Sequence, residues 1–268
     1  MKNKLCVIAK NKETYFVKRL TEEVGQVELF DPWSDYLLPE ADFYLVRTTG
    51  IYGNDLDLMF IKGLPTNKVV NPHDVLKRFR SKPTQFDWFD EKDIPALPWM
   101  SIKGGDLINI ERFFRLYPKV VVKPHVGQGG WGIEALTWDE FKSWWKKKKG
   151  VDEDYLIQPL VRDARELRYF FLKGQSPIVF ERTAKSGIVA NFQREGAATV
   201  VEFPAEHQAI INSLIQASGA HYGAIDLFIH EDGRLSILEL NTVPGIQQLE
   251  KVSNQNVIKL LLESLNKI

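Results

Sequence analysis

The chain has 268 residues, and its 35 Lys and Arg are balanced by 35 Asp and Glu. A formal net charge of +0 argues against bulk attraction to nucleic acid or an acidic membrane, and no apolar run is long enough to span a bilayer. The single cysteine, Cys6, excludes an intrachain disulfide and is typical of a reducing compartment, so we expect a cytoplasmic protein.

The first region alternates short apolar strands with a helix. Strands are predicted at Leu5–Ala9, Val27–Phe30 and Asp42–Val46, and a helix at Asn11–Val24. This order predicts a small parallel α/β layer. Arg47 directly follows the third strand, where open α/β sheets bind ligands, although a plain surface arginine is an equal alternative.

A subdomain boundary is predicted between residues 71 and 100. Asn71, followed by proline, is a good helix cap, and the helix is expected to break at Pro83. Trp88 and Phe89 then belong to a second short helix, and Ile94–Pro98 reads as an extended linker.

A glycine-rich loop follows the strand predicted at Lys119–Lys123. It contains Gly127-x-Gly129-x-x-Gly132, which also fits a dinucleotide-binding fingerprint. That fingerprint requires a helix immediately after the loop, whereas Ile133–Leu136 reads as a strand, and the helix begins only after a Thr137-x-x-Glu140 capping box. We therefore predict a flap over phosphates and keep the dinucleotide fold as the weaker alternative.

The run Tyr155–Val161 reads as a strand that contains Pro159, and so as an edge strand or an interrupted ladder. Unpaired backbone groups there would suit a flat heterocycle such as adenine. The remaining predicted elements are a hairpin of Leu167–Leu172 and Pro177–Arg182 and helices at Pro204–Ala217 and Ser253–Leu265.

Residues 224–245 read AIDLFIHEDGRLSILELNTVPG, two apolar runs around Asp232-Gly233. A two-residue type I′ turn at that pair places Asp226 opposite Glu239, and Asn241 shares the face of Glu239. Two adjacent carboxylates in an apolar sheet favour a hard cation, Mg²⁺ or Mn²⁺. The alternative is a solvated hairpin face with incidental acids.

Three basic side chains lie on or at the ends of other predicted strands. Lys123 ends a strand just before the flap, where an ammonium suits a phosphate; a surface lysine is the alternative. Glu166 and Arg168 share a strand face, and Arg182 ends the neighbouring strand. Two arginines near a cation suit a phosphoryl group or an oxyanion, whereas ion pairing with nearby acids would be purely structural.

The order of these features resembles the ATP-grasp superfamily, and within it RimK-type ligases such as the ribosomal-protein glutamate ligases. The resemblance covers most of the chain from Asn71 onward. It is carried by Lys123, the flap, Gln158-Pro159-Leu160-Val161, Glu166-Leu167-Arg168, Arg182, Asn191, Asp226, Glu239-Leu240-Asn241 and Pro244-Gly245. Among the departures, Gln158 stands where an acidic residue is usual, and Val189 where relatives often have arginine.

The resemblance implies an α/β (α+β) ATP-grasp fold. A small N-terminal α/β domain, residues 1–80, would precede two α+β subdomains that clamp ATP, a lid at 81–160 and a metal-binding part at 161–268. The implied ATP ligands are Lys82, Lys123, Gly129, Gly130, Pro159, Leu160, Glu166 and Asn191, with Arg168 and Arg182 at the reacting centre and Asp226, Glu239 and Asn241 on two Mg²⁺.

The implied function is an ATP-dependent carboxylate–amine ligase that forms an acylphosphate. It would join an amine or amino acid to a carboxylate of a metabolite, peptide or protein tail, without nucleic acid or membrane partners, as a possible homo-oligomer. Three alternatives stay open: a peptide-cyclising ATP-grasp ligase, a small-molecule kinase on this fold, and a nucleotide-binding module without chemistry.

Overall fold

The structure, a computed structural model, describes residues 3–50, 55–102, 107–127, 130–148, 154–184 and 196–265. These residues form three sheets with flanking helices, a mixed α/β fold of the predicted class. None of the helices in these ranges has the length and apolar character needed to cross a bilayer.

The first sheet is the predicted parallel layer. Its strands are β1 (Leu5–Ile8), β2 (Glu28–Phe30), β3 (Phe43–Val46) and β4 (Val69–Val70), in the order β2-β1-β3-β4. Helices α1 (Tyr15–Val24) and α2 (Leu56–Lys62) accompany it. Helix α1 begins later than predicted because Thr14 caps it, with the Thr14 Oγ1 accepting from the Val17 N–H at 3.4 Å.

Two helices connect this sheet to the rest, α3 (His73–Arg78) and α4 (Lys82–Glu91). The first ends before Pro83, which lies in the first turn of α4, a position where its missing N–H costs nothing. The predicted capping role of Asn71 was wrong. Its side chain is fully buried and hydrogen-bonds backbone groups of residues 221, 222 and 242, so it is not available to the helix start.

The strands of the second sheet are β5 (Met100–Ile102), β6 (Lys119–Pro124), β7 (Glu134–Thr137) and β8 (Tyr155–Pro159). The sheet is antiparallel, in the order β5-β8-β6-β7. Helices α5 (Leu107–Leu116) and α6 (Trp138–Lys148) pack on it in a core of its own. One half of the predicted capping box is present, since the Glu140 carboxylate accepts from the Thr137 N–H at 2.8 Å and also from the Thr137 hydroxyl at 2.9 Å.

Strand β8 is not an edge strand, but its pairing with one neighbour is interrupted. Strand β5 pairs with β8 only over residues 155–157, whereas β6 pairs with it as far as Pro159. The edge-strand prediction was therefore wrong and the interrupted ladder correct, because β5 is too short to reach Gln158 and Pro159.

The last elements in chain order are β9 (Ala164–Leu172), β10 (Ile178–Ala184), β11 (Gly196–Val200), α7 (Gln208–Ser218), β12 (Tyr222–His230), β13 (Leu235–Asn241), α8 (Gln247–Ser253) and α9 (Val257–Leu265). Their strands form the third sheet, which is antiparallel, in the order β11-β10-β9-β12-β13. One face packs against α4 and α7, for example through Leu167 and Ile225. On the other face, Phe170 and Tyr222 share a core with residues of the first sheet and of α9.

The hairpin of β12 and β13 differs from the prediction at its turn. His230 donates its N–H to the Arg234 carbonyl, so the loop has three residues, ending at Gly233 with φ +82°. The two-residue turn was therefore wrong. A register shift after Asp226 compensates for the extra loop residue, and Asp226 still pairs with Glu239 as predicted.

Candidate active site

The site is built on the face of the third sheet that also packs, further along, against the first sheet. Strand pairing places Arg168 beside Asp226, and Asp226 beside Glu239. Asn241 follows two residues later on the same strand face. Its Nδ2 donates to Glu239 Oε1 at 2.8 Å and to Asp226 Oδ2 at 3.3 Å, so the three predicted ligands converge.

One carboxylate oxygen of this group is not satisfied by the protein. Asp226 Oδ1 is buried and has no hydrogen-bond partner among the described residues. It lies 3.6 Å from both Arg168 Nε and Arg182 Nη1, too far for hydrogen bonds. A buried anionic oxygen without a donor, next to a second carboxylate and an amide, fits a hard divalent cation.

The two carboxylates titrate as a coupled pair. Burial raises the pKa of Asp226 against the pull of Arg168 and Arg182, and the nearby Glu239 adds to the rise. Burial also opposes ionisation of Glu239, but Lys82, the Asn241 amide and Lys123 together lower its pKa to about 2. The pKa values of the two carboxyl groups are thus displaced in opposite directions, and a bound cation would favour the ionised form of Asp226.

In the part of the chain that the structure describes, no group of three or more His, Cys, Asp or Glu side chains is arranged so that it could hold a metal ion. A cation at Asp226 and Glu239 would therefore need further oxygen ligands from the Asn241 side chain, water and a bound molecule. Such an incomplete oxygen set suits Mg²⁺, which usually keeps waters and binds phosphates.

Two lysines lie at the base of the flap. Lys82 Nζ donates to the Gly127 carbonyl at 3.3 Å, and Lys123 Nζ donates to Gln158 Oε1 at 2.9 Å. Burial lowers the pKa of Lys123 to about 8, and Lys82 adds to this, against the opposing charge of Glu239. Both cations are thus close to the carboxylate pair.

The glycine loop joins two antiparallel strands, β6 and β7. The dinucleotide-fold alternative was therefore wrong, because no helix N-terminus follows the loop. Gly130 and Gly132 have φ +74° and +70°, which favour glycine. The predicted ligand Gly129 lies outside the described residues, as does Asn191.

A largely apolar cleft of about 390 Å³ separates the second and third sheets. Pro159 and Leu160 line it, as do Lys123 and Gln158. The Leu160 N–H donates to the Lys119 carbonyl at 3.0 Å, so a backbone contact from Leu160 would use its carbonyl. Pro159 has no N–H, so these two residues can offer carbonyl acceptors but no free donor.

The predicted arginines and Glu166 are held together. Arg182 Nη1 lies 3.4 Å from Glu166 Oε1, and Glu166 is almost fully buried. The side chains of Glu166, Arg168 and Arg182 share one sheet face with Asp226. The ion pairs proposed as the structural alternative are therefore present, but they lie within the site itself.

Arg47 does not reach this group. Its guanidinium donates to the Tyr222 hydroxyl and the Pro244 carbonyl, both at 2.9 Å, and covers the Phe16 ring. It therefore connects the first sheet to the third.

Sequence reasoning missed a second cleft, of about 510 Å³, between the carboxyl end of β3 and the flap. Thr48, Thr49 and Asn241 line it, together with Arg80, which pairs with Asp57. The position of Thr48 and Thr49 after a parallel strand could have indicated it. The pairing of Arg80 with Asp57 could not be read from the sequence, since 23 residues separate the two.

The comparisons with known proteins agree with this geometry. A family model described as a RimK-like ATP-grasp domain matches residues 98–265. A probable alpha-L-glutamate ligase of Legionella pneumophila (strain Corby) is 28% identical and covers 98% of this chain and 95% of its own. One from Parasynechococcus marenigrum is 26% identical over 52% of this chain, which spans only 30% of that relative's length.

Solved structures share the fold at low identity. The ATP-grasp ligase PsnB, complexed with a phosphomimetic variant of its minimal precursor, Mg and ADP, has a TM-score of 0.73 at 15% identity and covers 98% of this chain and 97% of its own. The macrocyclase MdnC, bound with precursor peptide MdnA from Microcystis aeruginosa, has a TM-score of 0.74 at 13% identity, with 99% and 100% covered.

Proposed function

Since the chain belongs to the family of RimK-like ATP-grasp domains, we propose that it is an ADP-forming ligase that joins a carboxylate to an amine. The observation that carries the proposal is the buried carboxylate pair of Asp226 and Glu239, with one Asp226 oxygen unpartnered among the described residues. Two lysines and two arginines lie around this pair. The arrangement suits a nucleoside triphosphate held with a divalent cation.

At the phosphate end, Lys82 and Lys123 would bind the phosphates as point charges, and the flap glycines, Gly129 and Gly130, would cover them. Asp226, Glu239 and Asn241 would hold two Mg²⁺ ions. Bound there, Mg²⁺ would neutralise charge on the phosphates.

At the base end, the adenine would enter the apolar cleft beside Pro159 and Leu160. Glu166 would bind the ribose, and Asn191 would face the γ-phosphate. We also propose the division into a domain at 1–80, a lid at 81–160 and a metal-binding part at 161–268.

Arg168 and Arg182 would act at the reacting centre. A substrate carboxylate attacks the γ-phosphate, which gives an acylphosphate and ADP. The amine then attacks the acyl carbon, and phosphate leaves. The guanidinium groups would stabilise the oxyanion that develops in that second step, while the flap keeps water from the acylphosphate.

We propose that the second cleft binds the two substrates that the ligase joins. It borders Asn241 and the flap residue Gly127, and its lining threonines Thr48 and Thr49 offer hydroxyl groups. Curated relatives are named alpha-L-glutamate ligases, so L-glutamate is the first amine to test. A peptide or protein carboxylate is the second partner that we propose.

The test measures Mg²⁺-dependent ADP release from ATP in the presence of L-glutamate, other amino acids and short acidic peptides, with product masses. We expect ADP together with a product equal to two substrates minus one water. A peptide that loses water without added amine would instead indicate the cyclising reaction, and a mass gain of one phosphate a kinase.

The matched variants are Glu239→Gln and Glu181→Gln. Glu239→Gln removes a cation ligand and should lower ADP release by at least about a thousandfold. Glu181 lies on β10, on the face of the third sheet opposite the site, and pairs with Arg165, so its variant should keep normal turnover. Near-normal turnover by Glu239→Gln would contradict the proposed cation site.

A further inference from the structure

Strand β13, which carries the candidate cation ligands Glu239 and Asn241, forms one edge of the third sheet. It pairs with β12 on one side, and on its other side no further strand of this sheet lies within the part of the chain that the structure describes. An edge strand leaves the backbone groups of one side free for other partners. The placement of the two ligands therefore depends on the contacts that side chains and loops make with this edge.

The pairing of β13 with β12 is itself irregular next to Glu239. Asp226 pairs with Glu239, whereas Leu227 pairs with Ile237, so Leu238 has no partner in the register between these strands. A bulge of this kind leaves its extra residue unpaired and bends the strand. The ladder to β12 thus holds the region of Glu239 less firmly than a regular ladder would.

Gln85 of α4 covers the free edge between the two candidate ligands. The Leu240 N–H donates to Gln85 Oε1, and Gln85 Nε2 donates to the Leu240 carbonyl at 3.4 Å. A backbone N–H only donates and a carbonyl only accepts, so the two contacts fix the orientation of the amide. Both residues are almost fully buried, so loss of the amide would leave two backbone groups unpaired. Gln85 thus binds the edge much as a neighbouring strand would.

A second contact holds the same edge on the other side of the bulge. The Ile237 N–H donates to the carbonyl of Pro95, in the segment that follows α4, at 2.7 Å. The strand is therefore attached to α4 and its following segment both before and after Leu238. Gln85 makes the contact that lies directly between Glu239 and Asn241.

The same helix carries Lys82, one turn before Gln85. Residues three positions apart lie on the same side of a helix. Lys82 Nζ donates to the Gly127 carbonyl at 3.3 Å. Burial raises the pKa of Glu239, and Lys82 is the first of the groups that lower it, to about 2. Helix α4 therefore contacts the flap and the carboxylate pair through Lys82 and the strand of the cation ligands through Gln85.

We propose that Gln85 is a positioning residue that holds Glu239 and Asn241 in register with Lys82. By fixing the backbone of Leu240, it lets the cation ligands and the phosphate-binding lysine meet the same bound nucleotide. The proposal rests on the proposed function and adds to it a residue that sets how much a divalent cation strengthens nucleotide binding. Groups that orient metal ligands have such an effect without touching the metal.

The test compares the binding of ATP in excess Mg²⁺ with its binding in EDTA, measured by calorimetry on the full chain without any ligase substrate. The ratio of the two dissociation constants is the gain that the cation provides. Gln85→Met keeps the length of the side chain but lacks the amide that binds Leu240. We expect this variant to reduce the gain by about tenfold or more, whereas its binding of ATP in EDTA should change by less than about threefold.

The matched control is Ile211→Val, because Ile211 is a fully buried residue of α7 in the same hydrophobic core as Leu240. It removes one buried methylene group, which should lower the melting temperature without changing the gain. Gln85→Asn keeps the amide on a shorter side chain and should also reduce the gain, so it tests the proposal if the methionine variant does not fold. An unchanged gain in the Gln85 variants that fold, or an equal reduction in Ile211→Val, would overturn the proposal.

The outcome separates this proposal from the proposed function. If Mg²⁺ does not strengthen ATP binding by the unaltered protein, the proposed cation site fails, and the role of Gln85 fails with it. A large gain that the Gln85 variants retain would overturn the role of Gln85 alone and keep the cation site.

Discussion

Lys123 is a buried cation whose charge depends on what occupies the site. Burial holds its pKa at about 8, below the ordinary value of 10.5. A bound triphosphate favours the ammonium and raises the pKa again. Above pH 8 the free protein has lost part of this proton and the complex has regained it, so nucleotide binding should take up protons and weaken as the pH rises.

Calorimetry at pH 8.5 in buffers of different ionisation enthalpy measures this uptake directly. We expect up to about one proton per ATP bound. Lys123→Arg keeps a positive charge at all these pH values and should reduce the buffer dependence, even if it binds less tightly. Heats that are independent of the buffer in the unaltered protein would contradict the prediction.

At the scale of single residues, the grouping of side chains in the candidate site was predictable where strand alternation alone brings them together. Asp226, Glu239 and Asn241 needed only a hairpin, and Glu166 and Arg168 only one strand. The partners of Arg80, Gln158 and Asn71 were not predicted, because they come from distant segments. Polar contacts of that kind depend on tertiary packing, which no local pattern encodes.

At the scale of elements, the pairing of Asp226 with Glu239 was predicted correctly, although the turn and the register shift were not. The loop has one residue more than a type I′ turn, and the register shift next to Asp226 restores the pairing. Sequence pattern fixes which residues face the core, because a slip by one would bury the wrong side chains. It does not fix where an extra residue is accommodated, and here a bulge lies beside the candidate cation ligands.

The turn offers a test of this description. Gly233 has φ +82°, and a Cβ there would meet no other atom within 4 Å, so Gly233→Ala should cost conformational strain alone. We expect a loss of about 1 kcal/mol in the free energy of unfolding, and a melting temperature about 2–4 °C lower. Thermal and urea unfolding measure both quantities.

The matched control is Gly63→Ala. Gly63 has φ −83° and equally open space, so alanine there should be neutral or slightly stabilising. Because the turn of β12 and β13 lies far along the hairpin from Glu239, the Gly233 variant should retain ADP release. Equal stabilities for the two variants would contradict the three-residue loop.

At the scale of the whole molecule, the first and third sheets share one hydrophobic core, whereas the second sheet has its own. Helix α4 packs with the third sheet, although its Lys82 reaches the flap. Strand and helix patterns predicted the parallel layer and most strands of the other two sheets, but not the strands β4, β5 and β11. Which of the sheets pack together was not predictable, because the shared core gathers residues such as Val7 and Tyr222 that are far apart in sequence.

Asn71, which directly follows β4 in the first sheet, forms a buried polar link to the third sheet. Its Nδ2 donates to the carbonyls of Tyr222 and Thr242, both at 2.8 Å, and its Oδ1 accepts from the His221 N–H at 2.7 Å. Asn71→Ala would leave these buried groups unpaired and create a small void. We expect the free energy of unfolding to fall by about 2–4 kcal/mol, measured by urea denaturation.

The control is Asn212→Ala, an exposed asparagine on α7 whose amide bonds only Gln208 among the contacts found in the described residues. Its loss should change stability by less than about 0.5 kcal/mol. Because Thr242 directly follows Asn241, the Asn71 variant should also weaken Mg²⁺-dependent nucleotide binding, whereas the control should not. A destabilised Asn71 variant with unchanged binding would mean that the first sheet supports the fold without positioning the cation ligands; unchanged stability would contradict the buried network itself.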